Sequence, residues 1–186
     1  MGHRSLLAAV LLMAPILCSA QEGTGSYTFQ VKDGESPEAE LVANGVLVLM
    51  NDTVPTDKLP GDLLEASKRD SRWLLAKTAP SACFGFETSV KEVDGRAFYG
   101  GIIPAGLTTW KERGDTIAVK LYQSPDAWMT LKGKQEGDRI SGVVRQREFY
   151  GGKVADGLPF EAERTGPASI DACTAALRKR PEFDRE

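Results

Sequence analysis

Between Gly114 and Arg164 the chain contains four β-prone runs, which read GDTIAVKLYQ, SPDAWMTLKGK, QEGDRISGVVRQREF and LPFEAER. Turn-forming residues punctuate these runs, namely Gly-Asp, Ser-Pro-Asp, Glu-Gly-Asp and Gly-Gly. In the first run Ile117, Val119 and Leu121 share one face, and the residues between them point the other way, as in a half-buried strand. The pattern therefore predicts an antiparallel β-meander.

The rest of the chain adds strands before this meander and a helix after it. Apolar or alternating runs predict further strands at 27–31, 41–50, 73–75, 82–88 and 97–111, the last of them bent or divided into two by its glycines. A short helix is predicted at 62–69. Ser169 is a suitable N-cap for a second helix at 169–180, in which Cys173 lies on the apolar face.

These elements predict a mainly β fold, with about eight to ten antiparallel strands in a small barrel or a strongly curved meander sheet. Residues 21–186 contain no internal repeat and no linker, so one domain is predicted. Its length is sufficient for a sizeable core.

The predicted meander contains three short patterns, Trp128-x-x-Leu131-x-Gly133, Ile140-Ser141-Gly142 and Pro159-Phe160-x-Ala162-x-Arg164. Together they resemble the small lipocalin-like barrels of bacterial cell envelopes. The resemblance covers only this part of the chain and rests on turn and strand chemistry. It implies a fold and no particular function, because one fold serves many functions.

Residues 1–20 have the three parts of a secretory signal peptide: a basic start, an apolar run over 6–17 and small residues before the cleavage position. A membrane anchor is one alternative, but the apolar run is shorter than the roughly 18 to 20 residues that span a bilayer. Lipidation of Cys18 is another. We predict cleavage after Ala20, a secreted or periplasmic mature chain and no stable membrane span.

Removal of the signal peptide changes the chemistry available to the chain. The only histidine, His3, is removed, so the mature chain has no Ser-His-Asp or Cys-His catalytic arrangement and no histidine-containing zinc site. Arg4 is also removed, which leaves 22 of the 23 basic residues against 26 acidic ones. This mild negative charge argues against nucleic acid as a partner. No catalytic residue, metal or cofactor is predicted.

Cys83 and Cys173 are the cysteines that remain after cleavage. Two cysteines in an exported chain predict one disulfide, which would attach the last helix to the sheet. The alternative is two buried free thiols. A redox role is disfavoured, because the sequence has no C-x-x-C motif.

Many aromatic residues lie on the predicted strands, where they would line the interior or the mouth of a barrel that holds one apolar ligand. The predicted ligand-binding residues are Trp110, Tyr122, Trp128, Phe149 and Tyr150. The alternative is that these rings only pack in the core. A pair of glycines follows Tyr150, which is typical of a loop at the rim.

The predicted function is that of an exported, non-enzymatic protein that holds a small apolar or amphipathic ligand in a β-barrel. Two alternatives stay open: a protein-binding inhibitor or immunity protein of the cell envelope, and a hydrolase that uses paired carboxylates. An aromatic cavity would favour the first function. A filled core with a protruding aromatic or acidic loop would favour the second, and two carboxylates facing each other across a cleft would favour the third.

Overall fold

Strands dominate the structure, a computed structural model that describes residues 23–63, 80–148 and 150–179. The strands are β1 (Gly25–Lys32), β2 (Leu41–Met50), β3 (Ser81–Ser89), β4 (Glu92–Val93), β5 (Arg96–Ala97), β6 (Ala105–Arg113), β7 (Thr116–Gln123), β8 (Ala127–Glu136), β9 (Arg139–Glu148) and β10 (Leu158–Gly166). Helix α1 is Ile170–Leu177, and short 3-10 turns lie at Thr56–Lys58 and Tyr99–Gly101.

Eight of these strands close into an antiparallel barrel in the order β1-β10-β9-β8-β7-β6-β3-β2. Strands that follow one another along the chain are neighbours, except that the hairpin β4–β5 is inserted between β3 and β6. The prediction of a mainly β, barrel-forming chain is confirmed. The predicted run 97–111 is divided into β5 and β6, with the turn Tyr99–Gly101 between them.

Side chains fill the interior of the barrel. The alternation read from the sequence is confirmed: Ile117, Val119 and Leu121 are buried, and so are Phe160 and Ala162. The largest fully buried side chains are Trp110, Tyr27, Phe29, Phe84, Phe86 and Phe98. Several of these rings meet edge to face, as in the pair Phe29 and Phe86 with centroids 5.3 Å apart. The barrel is therefore closed and has a packed core.

Helix α1 covers the outer faces of β2, β3 and β6 and buries a second apolar cluster there. Ser169 caps the helix, since its hydroxyl accepts a hydrogen bond from the backbone N–H of Ala172 at 3.0 Å. The predicted disulfide between Cys83 and Cys173 is present, with Cα atoms 5.2 Å apart. A Cβ atom on Gly85 would overlap the carbonyl oxygen of Ala176, so this glycine permits the close approach of the helix.

Some predicted elements fall partly or wholly outside the described residues. Of the predicted helix 62–69, the structure describes helical residues only at 61–63. The predicted signal peptide and the predicted strand at 73–75 lie outside the described ranges. Helix α1 is shorter than the predicted 169–180. In the described part of the chain, no helix is long and apolar enough to cross a bilayer.

The two ends of the barrel differ. At the end where β1 begins, the hydroxyl of Tyr27 donates to the carbonyl of Gly23 at 2.8 Å, and Arg164 donates to the carbonyl of Thr24 at 2.8 Å. The Arg164 guanidinium also lies over the Tyr27 ring, 5.3 Å from its centroid. Residues before β1 thus cover that end. The opposite end, where β7 and β9 finish, is the mouth considered below.

Candidate functional site at the mouth of the barrel

The connection between β3 and β6 folds across the mouth of the barrel. Its Phe98 is fully buried in the core. Ala97 is held to the segment that follows β9: its N–H donates to the carbonyl of Lys153 at 2.9 Å, and its carbonyl accepts from the N–H of Ala155 at 3.0 Å. This backbone pairing helps to fix the position of Tyr99, two residues further along the chain, at the rim.

A buried amide also holds this connection. Gln146 is only 2% exposed, at an inward-facing position of β9. Its side chain accepts a hydrogen bond from the N–H of Tyr99 at 3.2 Å and donates to the carbonyl of Ala97 at 2.8 Å. Because buried polar groups need partners, Gln146 ties β9 to the segment over the mouth. It is a positioning residue for Tyr99.

A cleft of about 550 Å³ opens between this connection, the start of β8 and the end of β9. The Tyr99 and Tyr122 rings form part of its wall, with centroids 5.9 Å apart and planes inclined by 56°. Ile102, 46% exposed, presents apolar surface to the same cleft. Its volume lies in the range of small-molecule sites, which runs from roughly 300 to 1,000 Å³.

Negative charge predominates around the cleft. Glu92, Asp126 and Glu148 line it, and Lys153 is the cation among its lining residues. A Cβ atom on Gly152 would overlap the Glu148 carboxylate, so this glycine makes room for the acid. Burial raises the pKa of Tyr99 above its ordinary value, and the carboxylate of Glu148 raises it further.

No group of three or more histidine, cysteine, aspartate or glutamate side chains is arranged to hold a metal ion in the described ranges. The side chains that line the cleft include aromatic rings, apolar residues and carboxylates.

Beside the cleft, strands β6 and β7 of the closed barrel are paired over only part of their length. Pairing between β6 and β7 runs from Arg113 and Thr116 up to Trp110 and Val119, and the remainder of β7 has no register partner in β6. Tyr122 lies in this unpaired part. It lines both the mouth cleft and a groove of about 370 Å³ that also involves the predicted site residue Trp128.

The structure does not bring the five predicted ligand-binding residues together. Tyr122 lines the cleft, and half-buried Trp128 lines the neighbouring groove. Trp110 lies in the packed interior, where its indole N–H donates to the carbonyl of Met50 at 3.0 Å. Tyr150 is 78% exposed after β9, and Phe149 lies outside the described residues. Ligand binding by these residues stays a prediction.

The predicted ligand-binding residues did not include Gln146, Tyr99, Ile102 or Glu148, although Tyr99 belongs to the aromatic residues of the predicted strands. One signal for Gln146 was present, since the alternation of β9 places this amide in line with the buried residues Ile140 and Val144. A polar residue at an inward position indicates a side chain that forms hydrogen bonds in the interior of the barrel. The position of Tyr99 and Ile102 depends on a non-local contact with residues 153–155, which no local pattern encodes.

Comparison with known protein families, curated proteins and solved structures found no match for this chain. Fold and geometry therefore define the class of protein: a closed antiparallel barrel with a packed core, a helix attached by a disulfide and an open cleft at one end.

Proposed function

We propose that this chain is an exported, non-enzymatic binding protein that holds a small amphipathic ligand in the cleft at the barrel mouth. The observation that carries the proposal is the composition of the cleft. Two tyrosine rings and exposed Ile102 offer apolar surface, while Glu148 and its acidic neighbours offer polar contacts. Convergence of a few polar groups on an apolar concavity is the usual form of a small-molecule site.

The packed interior favours the mouth over the centre of the barrel as the binding place. Trp110 and the phenylalanines around it are fully buried in mutual contact. Making room among them for a ligand would break close-packed contacts, which costs stability. The mouth needs no such rearrangement.

Export is supported by two features. Residues 1–20 have the composition of a secretory signal peptide, and the Cys83–Cys173 disulfide suits an oxidising compartment. We extend the proposal to the lipocalin-like class of envelope barrels at the level of fold, on the resemblance of the β8–β10 region.

Native mass spectrometry of protein purified without detergent from its own host tests the proposed function. Ile102→Asp places a charge in the cleft, whereas Leu41→Asp changes an equally exposed aliphatic residue that does not line it. We expect a bound small molecule on the wild type and on Leu41→Asp, and its loss from Ile102→Asp. A bare mass for all three proteins, or equal retention by all three, would contradict the proposal.

A second candidate function is the binding of another protein. In that case the chain would act as an inhibitor or an immunity protein of the cell envelope. The observation that favours it is Tyr150, which is 78% exposed in the connection after β9, above a filled core. Exposed tyrosines are frequent anchors in protein interfaces. A crosslinked protein partner that is lost with Tyr150→Ala and retained with Ile102→Asp would favour this function over the first.

A further inference from the structure

We infer that the ligand of the mouth cleft is a cation, namely an organic ammonium ion attached to a short apolar chain. This inference rests on the proposed function, since it names the chemical class of the ligand that the cleft would bind. Three features of the cleft carry it: the pair of rings, the half-buried acid that shares the lining with them and the balance of charge around both.

The ring pair supplies one kind of contact that an ammonium ion prefers. Tyr99 and Tyr122 contact each other at an inclined angle, with centroids 5.9 Å apart, and both line the cleft. A cation within about 6 Å of an aromatic face is attracted by the negative charge distribution of the ring. Both rings belong to the lining of the cleft, and aromatic faces attract a trimethylammonium group and not an anion.

Glu148 supplies the second contact. Its side chain is half-buried at the end of β9, lines the cleft and forms no ion pair within the part of the chain that the structure describes. Tyr99 lines the same cleft, and the Glu148 carboxylate contributes to the raised pKa of its hydroxyl. The absence of a side chain at Gly152 makes room for the carboxylate in the lining of the cleft. An unpaired half-buried carboxylate is stabilised when a cation binds next to it.

The charge balance supplies the third feature. Other acids near the mouth are neutralised by arginines: Asp156 lies 3.0 Å from Arg145, and Asp94 lies 3.4 Å from Arg96. Of the described residues that line the cleft, Glu92, Asp126 and Glu148 are acidic and only Lys153 is basic. The cleft therefore has an excess of negative charge, which an anionic amphiphile would have to overcome.

The apolar part of the ligand has a defined place. Exposed Ile102 and nearly buried Ile103 line the cleft just before β6, and Val154 lines it in the β9–β10 connection. A short alkyl chain would cover these residues while its ammonium group meets the rings and Glu148. Burial of the chain adds affinity in proportion to the apolar area removed from water.

Isothermal titration calorimetry with two alkyl amphiphiles below their micelle concentrations tests the class of ligand. The probes are octyltrimethylammonium and octanoate, which have alkyl chains of similar length and head groups of opposite sign. We expect the ammonium probe to bind at least about fivefold more tightly than octanoate. Glu148→Gln should weaken ammonium binding about five- to tenfold and leave octanoate unchanged or slightly tighter.

Two control variants make the test specific. Glu163→Gln removes the same charge from the outer wall, away from the cleft, and should change ammonium affinity less than about twofold. Tyr122→Phe retains the ring and should also change affinity less than about twofold, whereas Tyr122→Leu should weaken ammonium binding by about threefold or more. Rescue by phenylalanine separates a ring contact from a general loss of packing.

Each outcome decides a different point. Equal affinity for both amphiphiles, abolished by Ile102→Asp, would overturn the cationic class and leave the proposed amphiphile-binding function standing. Equal weakening by Glu148→Gln and Glu163→Gln would show only diffuse attraction to a negative surface and would also overturn the class. Absence of saturable binding by either probe would contradict the proposed function as well.

Discussion

The buried side-chain amide of Gln146 holds the connection between β3 and β6 in place, because it forms hydrogen bonds with the backbones of Ala97 and Tyr99. Gln146→Leu keeps most of the volume but leaves the Tyr99 N–H without its partner. We expect the free energy of unfolding to fall by about 1–3 kcal/mol, measured by urea denaturation. Gln123→Leu, on the exposed side of β7, should change it by less than about 0.5 kcal/mol. Equal effects of the two substitutions would contradict the role given to Gln146.

The hydroxyl of Tyr99 reports on the electrostatics of the cleft, because burial and then Glu148 raise its pKa above 10.0. We expect a spectrophotometric titration, compared with Tyr99→Phe, to place this ionisation above pH 10. Glu148→Gln should lower the pKa only in part, since burial is the larger cause. The pKa of Tyr99 is higher in the folded state than in the unfolded state. The contribution of this hydroxyl to the free energy of unfolding is therefore complete below pH 10, and it is lost as the pH rises through the folded-state pKa. Ionisation of Tyr99 at or below pH 10 would contradict this account.

At the scale of elements, α1 depends on its close approach to β3. Gly85→Ala would place a methyl group against the carbonyl of Ala176 and displace the helix. We expect a loss of about 1–3 kcal/mol in the free energy of unfolding. Gly166→Ala is a matched control, because a Cβ atom there meets nothing within 4 Å. If Gly85→Ala cost no more than Gly166→Ala, the packing proposed for the helix would be wrong.

The disulfide joins the same two elements across a sequence separation of 90 residues. Replacing both Cys83 and Cys173 by alanine should lower the free energy of unfolding by up to about 4–5 kcal/mol on the chain-entropy model. Reduction of the wild type should lower its stability to a similar extent and leave the double variant unchanged. The barrel should persist by far-ultraviolet circular dichroism, since the core of the barrel does not include either cysteine. Equal stability of the oxidised and reduced wild type would contradict this prediction.

The strands and the helix could be predicted from the sequence, because the patterns that indicate them are local. The period-two alternation of β7 and β10, and the cap at Ser169 before an apolar helical face, are both confirmed. The geometry of the mouth could not be predicted from the sequence, because it comes from pairing between Ala97 and residues 153–155. The role of Trp110 could not be predicted either, since only packing in three dimensions decides whether a ring fills a core or lines a cavity.

At the scale of the whole molecule, closure of the barrel and filling of its core restrict where a ligand can bind. The end near Tyr27 is covered by residues that precede β1, and the side that carries β2, β3 and β6 is covered by α1. The mouth combines open space, apolar surface and uncompensated charge. The proposed function therefore requires that the ligand binds at the mouth and leaves the interior of the barrel unchanged.

Amide chemical-shift mapping by nuclear magnetic resonance, during a titration with octyltrimethylammonium, tests this claim most directly. We expect saturable shifts confined to amides of residues 97–103, 122–127, 148 and 150–154, with no change in the indole N–H signal of Trp110. Shifts centred on Trp110 and the phenylalanines of the core would contradict the account, and so would a titration that perturbs no amide at the mouth.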